Sequence, residues 1–130
     1  RYSSTYDVLV QPYVHWLPPI SVPSFLRDMG EFLINPNQTL PVKFYLTDEQ
    51  EDILHLDNVE VQVWSENREE LMGKYTLTGS GQMQLKRNPQ GIYHANIKAR
   101  ALNLSPGETY DVAVMVADIE ADAIKIRIKD

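Results

Sequence analysis

The stretch Leu102–Val116, LNLSPGETYDVAVMV, decides how the rest of the chain is read. Pro106 fixes its own φ and Gly107 accepts the positive φ that follows, so Ser105–Glu108 is a tight turn. Tyr110 then opens a run in which Tyr110, Val112, Val114 and Val116 fall on one face. A tyrosine in that place packs its ring inward and sends its hydroxyl back to the turn's backbone, with Leu104 as the apolar residue beneath. This is the logic of the tyrosine corner, which belongs to Greek-key sandwiches.

Working outward, the same two-residue period recurs. Val42, Phe44 and Leu46 alternate with polar neighbours in Leu40–Asp48, and Val59, Val61 and Val63 do so in Val59–Trp64. Ile92–Arg100 sets Tyr93, Ala95, Ile97 and Ala99 against Ile92, His94, Asn96 and Lys98. Ala123–Lys129 sets Ile124, Ile126 and Ile128 against Lys125, Arg127 and Lys129. Weaker strands are expected over Thr5–Val14, with Pro12 marking an edge or an end, and over Leu71–Thr78, which Gly73 interrupts. Gly79–Gly81 is expected to turn Gln82–Lys86 back onto that strand, and Asn88–Gly91 is a second turn. No segment of about 10–15 residues at helical period separates the strands, which disfavours α/β. The expectation is a single all-β domain over residues 1–130, an antiparallel sandwich of seven to eight strands. Residues 15–36 hold half of the prolines and form its proline-rich connecting segment. There Ser24 would cap one helical turn through Phe25, Leu26 and Met29, closed by Gly30.

Composition bounds the rest. The 130-residue chain is 43% hydrophobic and 23% charged, carries a net charge of −6 and has no cysteine. That length buries a core without staples, and the absence of thiols removes disulfides, thiolate metal sites and a cysteine nucleophile. The acidity argues against nucleic acid and anionic lipid as partners, and no apolar run is long enough to span a membrane. The chain opens on Arg1 without a charged-then-apolar leader, so it is read as a mature or excised piece of something longer.

Leu104-x-Pro106-Gly107-x-x-Tyr110-x-Val112-x-Val114 resembles the corresponding turn of fibronectin type III domains. LPVKFYLTD (40–48), LDNVEVQVW (56–64), NPQGIYHANI (88–97) and SPGETYDVAV (105–114) are similar in order and spacing to bacterial and archaeal extracellular Ig-like modules, the invasin-like and macroglobulin-like domains. The likeness spans roughly residues 40–117. It departs where Phe44 and Tyr45 replace a core tryptophan and where the link DEQEDILHLDN has no glycine. It implies an Ig-like or fibronectin-like sandwich and an extracellular, cell-surface or periplasmic setting, and it supplies no active-site residue.

Candidate sites follow from residue type. Asp48, Glu49 and Asp52 in one loop, and Asp118, Glu120 and Asp122 in another, would offer oxygen donors to calcium if the two loops shared one end of the sandwich; otherwise they are solvated turns. Trp64 and Tyr45 alternate outward, on what read as adjacent strands, and would stack against a sugar ring. Trp16 and Phe25 either cover the open end of the sandwich or present a binding surface. The three histidines show no zinc spacing, and no nucleophile motif is present. Asn37-Gln-Thr39 and Asn103-Leu-Ser105 satisfy the glycosylation rule, which chance explains. The reading is a non-catalytic module of a larger exported or cell-surface protein, acting as spacer, adhesive or docking domain. It has no obligate cofactor, and its partners are neighbouring domains, a protein or a glycan. The basic face of AIKIRIK is read as guarding an edge strand, which favours a monomer. The alternative is a carbohydrate-binding module, with or without calcium.

Overall fold

The computed structural model describes residues 12–17, 32–79 and 83–129. The strand expected over Thr5–Val14 lies mostly outside them, as do the turn expected at Ser24 and the candidate Phe25. Nine strands are present among the described residues: β1 Tyr13–Trp16, β2 Phe32–Ile34, β3 Thr39–Thr47, β4 Val59–Ser65, β5 Leu71–Thr76, β6 Lys86–Arg87, β7 Tyr93–Lys98, β8 Thr109–Val116 and β9 Ile119–Ile128. Both ends of the segment 15–36 are therefore strand, β1 beginning directly after Pro12.

The strands form two sheets, ordered β1-β3-β7-β6 and β2-β9-β8-β4-β5. Every pairing is antiparallel except β2 with β9, which run parallel from Phe32↔Ile126 to Ile34↔Ile128. The chain changes sheet between β1 and β2, β2 and β3, β3 and β4, β5 and β6, and β7 and β8. With β1, β3, β7 and β6 as strands A, B, E and D, and β4, β8 and β9 as C, F and G, this is the immunoglobulin order, extended by a C′ strand at β5. The protein is an Ig-like β-sandwich.

The core is built from the expected alternation. Leu40, Val42, Phe44 and Leu46 of β3 are fully buried, as are Val61 and Val63 of β4 and Val112 and Val114 of β8. Tyr93 and Ile97 of β7 and Ile126 and Ile128 of β9 complete the inner faces. Each such aliphatic side chain is worth about 1.5–3 kcal/mol on burial. Phe44 and Tyr93 stack at 5.2 Å. The Tyr93 hydroxyl accepts from Leu56 N–H at 2.7 Å and donates to Leu56 C=O at 2.8 Å, pinning the β3–β4 crossover to the core.

The corner forms as the sequence implied. Gly107 has φ +84°, and Tyr110 is buried with its hydroxyl accepting from Ser105 N–H at 2.7 Å. Gly73 has a packing role: a Cβ there would lie 2.8 Å from Leu102 Cδ2, so the β7–β8 loop seats its leucine against bare backbone.

Two expectations are corrected. Gln82 of the segment expected over Gln82–Lys86 lies outside the described residues; residues 83–86 do not form a strand along β5, and β6 pairs with β7 in the other sheet. Beside β5 the described residues make one isolated bridge, Thr76 with Gln84, and it is parallel, with Leu85 N–H donating to Thr76 C=O at 2.9 Å. Nor is β9 an edge strand along its basic stretch, because β2 covers Ile126–Ile128.

Candidate functional site

The two outer sheet faces carry the polar chemistry, and they differ. On the five-stranded sheet, β8 is the central strand, and even its outward positions Asp111 (7% exposed) and Ala113 (0%) are covered. The register explains why. Asp111 faces Lys125, Ala113 faces Ala123, and beyond a bulge Met115 faces Glu120. Arg68 sits in the β4–β5 turn at φ +63°. Its Nε donates to Asp111 Oδ2 at 2.7 Å and its Nη1 to Glu120 Oε1 at 2.8 Å. To reach both carboxylates the guanidinium must lie across the alanine rung between them, where two methyl groups leave it room. Lys125 Nζ completes the group, 3.0 Å from Asp111 Oδ1.

Burial works to raise the Asp111 carboxyl, but hydrogen bonds from Arg68 and Lys125 outweigh it and hold the group below the usual carboxylate range. The Arg68 guanidinium is raised in turn, first by its bond to Glu120 and then by that to Asp111. Burial alone pushes the Tyr75 phenol up to about 12. These shifts follow from ion pairing and packing within the sheets.

Trp64 belongs to this face, half-buried, on the rung of Asp111. Its Nε1 donates to Gln62 Oε1 at 2.8 Å, so the indole lies back along β4.

The outer face of the four-stranded sheet is arranged differently. His15 and Tyr45 are register partners, stacked at 4.7 Å with an interplanar angle of 10°. The stacking commits one face of each ring to the other. His15 Nε2 lies 2.7 Å from Thr47 Oγ1. Lys43, His94 and Lys86 share one rung across β3, β7 and β6, with Lys98 further along β7.

Tyr45 and Trp64 therefore sit on opposite sheets. The expectation that they lie on adjacent strands is corrected, because β3 hands over to β4 by crossing the sandwich. Trp16 is a core residue, 7% exposed, tilted against Phe44 at 5.8 Å. Its Nε1 donates to Asp122 Oδ2 at 2.8 Å, a hydrogen bond that joins the two sheets.

The two acidic loops do lie at one end: Ala117 N–H donates to Asn58 C=O at 3.0 Å, placing the β8–β9 hairpin beside the start of β4. Their carboxylates nevertheless do not converge. Asp48 Oδ1 accepts from the backbone N–H groups of Gln50 and Asp52, Glu120 is paired with Arg68, and Asp122 with Trp16. Asp118 occupies the left-handed position of the hairpin at φ +65°, and Glu49 and Asp52 are exposed. Among the described residues no group of three or more Asp, Glu or His side chains is placed to hold a metal ion.

An open cleft of about 760 Å³ lies at the opposite end, lined among others by Glu66, Glu70, Met72, Glu108 and Tyr110. Among the described residues no helix is long and apolar enough to cross a membrane. Arg68, Asp111 and Lys125 escaped the sequence reading. Their one signal was Asp111 itself, a carboxylate inside the most apolar strand, which burial permits only with a partner.

No family model matches the chain, and no curated protein matches it in sequence. Among solved structures it is similar to the filamin domain of Lin-41, at 15% identity and a TM-score of 0.47, over 75% of this chain and 83% of that one. It is also similar to the human B7-H4 IgV-like domain, at 11% identity and a TM-score of 0.41, over 91% and 96% of the two chains. Likeness at this level carries nothing about activity. The Ig-like assignment rests on the strand order and register, which hold without the neighbours.

Proposed function

We propose that this chain is a non-catalytic Ig-like module of a larger exported or cell-surface protein, serving as a spacer, adhesive or docking domain. The observation that carries this reading is how the polar side chains of the described residues are engaged. Arg68 straps Asp111 and Glu120, Trp16 ties to Asp122 across the sheets, Tyr110 holds the corner, and Tyr93 pins the crossover. Each fixes backbone or sheet; the shifted ionisable groups are partnered or packed, and Asp111, Arg68 and Tyr75 are not among those lining the cleft. A catalytic site needs shifted groups converging on a concave space.

The sugar-platform alternative gains no specific support. Tyr45 is stacked face to face on His15, and Trp64 is half-buried and bonded to Gln62 on the other sheet. Hydrogen–deuterium exchange of the chain alone and within its parent protein separates the remaining roles. A docking domain shows slower exchange over one surface in the parent, whereas a spacer exchanges alike in both. Turnover of ester, glycoside, phosphate or peptide substrates by the purified chain, lost on Glu70→Gln or Glu108→Gln, would sink the non-catalytic reading.

A further inference from the structure

The chain has 18 acidic and 12 basic residues, yet among the described residues one of its sheet faces carries no acid. The outward positions of the four-stranded sheet are Tyr13 and His15 of β1, Thr39, Pro41, Lys43, Tyr45 and Thr47 of β3, Lys86 of β6, and His94, Asn96 and Lys98 of β7. Lys43, Lys86 and Lys98 are exposed, and none forms an ion pair among the described residues. At strand spacings of about 4.8 Å, Lys43 and Lys86 stand roughly 10 Å apart on one rung, with His94 between them. Lys98, four residues along β7, is about 13 Å from His94. His94 Nε2 is 3.0 Å from Asn96 Oδ1, which adds amide groups to the same strip.

From this we infer that the outer face of the four-stranded sheet binds a linear acidic polysaccharide, one bearing carboxylate or sulfate groups along its length. A flat strip of unpaired cations spaced over three strands suits an extended polyanion rather than a compact ligand. The other macromolecular partners fit less well. Single-stranded nucleic acid needs aromatic faces on which bases stack, and the Tyr45 and His15 rings already stack on each other. A protein interface is built around an apolar anchor at its centre, and among the described residues the one large exposed apolar residue of this face, Tyr13, lies at its rim.

The inference deepens the adhesive branch of the proposed function, and the two can fail separately. Loss of polysaccharide binding leaves the exchange comparison with the parent protein intact.

The test uses the whole chain on immobilised heparin and polygalacturonate, with dextran and a single-stranded oligonucleotide as controls. Binding to either charged polysaccharide and not to dextran is expected, the two arms separating sulfate from carboxylate. With three lysines engaged, affinity falls roughly 20- to 40-fold between 50 and 200 mM salt by counterion release. Lys43→Glu/Lys86→Glu lowers it at least tenfold, while Lys74→Glu, exposed on the other sheet, leaves it unchanged. All three lysines are on the surface, so unchanged circular dichroism and thermal unfolding certify the fold of both variants. No binding at 50 mM salt overturns the inference. So does equal loss with Lys74→Glu, or tighter binding to the oligonucleotide.

Discussion

The two outer faces use the same residue types to opposite ends. On the five-stranded sheet, Arg68 and Lys125 meet Asp111 and Glu120 within 3.0 Å, and the charges cancel over a pair of alanines. On the four-stranded sheet, Lys43, Lys86 and Lys98 meet no acid among the described residues and are exposed. The difference teaches that net charge is a poor guide to a sandwich, because each face carries its own balance. A paired charge beneath a strap is part of the fold. An unpaired row of one sign is available to something else.

The comparison breaks most sharply at Asp111. Asp111→Ala removes the acceptor of two charged hydrogen bonds from a site 7% exposed and costs about 2–3 kcal/mol, read as a lower denaturant midpoint. Its pH dependence has a definite sign. The folded-state pKa of Asp111 lies below the unfolded value of about 3.9, so its contribution is fully present above that value. It is lost as pH falls through the folded pKa, and wild type and variant converge in acid. An acid titration of both proteins that stayed parallel would remove Asp111 from the account.

Ala113→Leu comes next, at about 2 kcal/mol, since the outward alanine is fully buried and a larger side chain displaces Arg68. Simple alternation predicts no cost there, so differential scanning calorimetry decides between the two.

A smaller effect of opposite sign is expected in the β8–β9 hairpin, which sets Glu120. Ala117 (φ +53°) and Asp118 (φ +65°) are both left-handed, the geometry of a two-residue type I′ turn. Ala117→Asn/Asp118→Gly relieves that conformation and should stabilise the fold by about 1 kcal/mol.

The smallest effect belongs to the other face. Lys43→Glu and Lys86→Glu should leave thermal stability within about 0.5 kcal/mol, as exposed and unpaired residues do. A larger drop would mean that those lysines hold the sheet together after all.

What the sequence could reveal follows from the range of each interaction. The corner at Tyr110 and the inner faces of β3, β4, β7 and β8 were legible, because turn chemistry and alternation are local. So was the inward set Ile126 and Ile128, though not its position, since a three-residue parallel neighbour such as β2 leaves no period to find. Gly79–Gly81 read as a hairpin turn, whereas β5 and β6 fall in different sheets, a choice that only the sheets' own register makes. The six candidate carboxylates were visible as types, but their partners were not. Asp122 meets a tryptophan 106 residues away in sequence, and Glu120 an arginine 52 away. Pairing at such separations is a property of the closed sandwich.

The parallel seam between β2 and β9 has a mechanical consequence. Its strands run the same way over Phe32–Ile34 and Ile126–Ile128, and Lys129 N–H extends the pairing to Ile34 C=O at 2.9 Å. Tension entering the chain ahead of β2 and leaving beyond β9 pulls these strands past one another along their length. The hydrogen bonds between them are then loaded together in shear instead of being peeled one at a time, so the seam must yield as a unit before the sheets can separate.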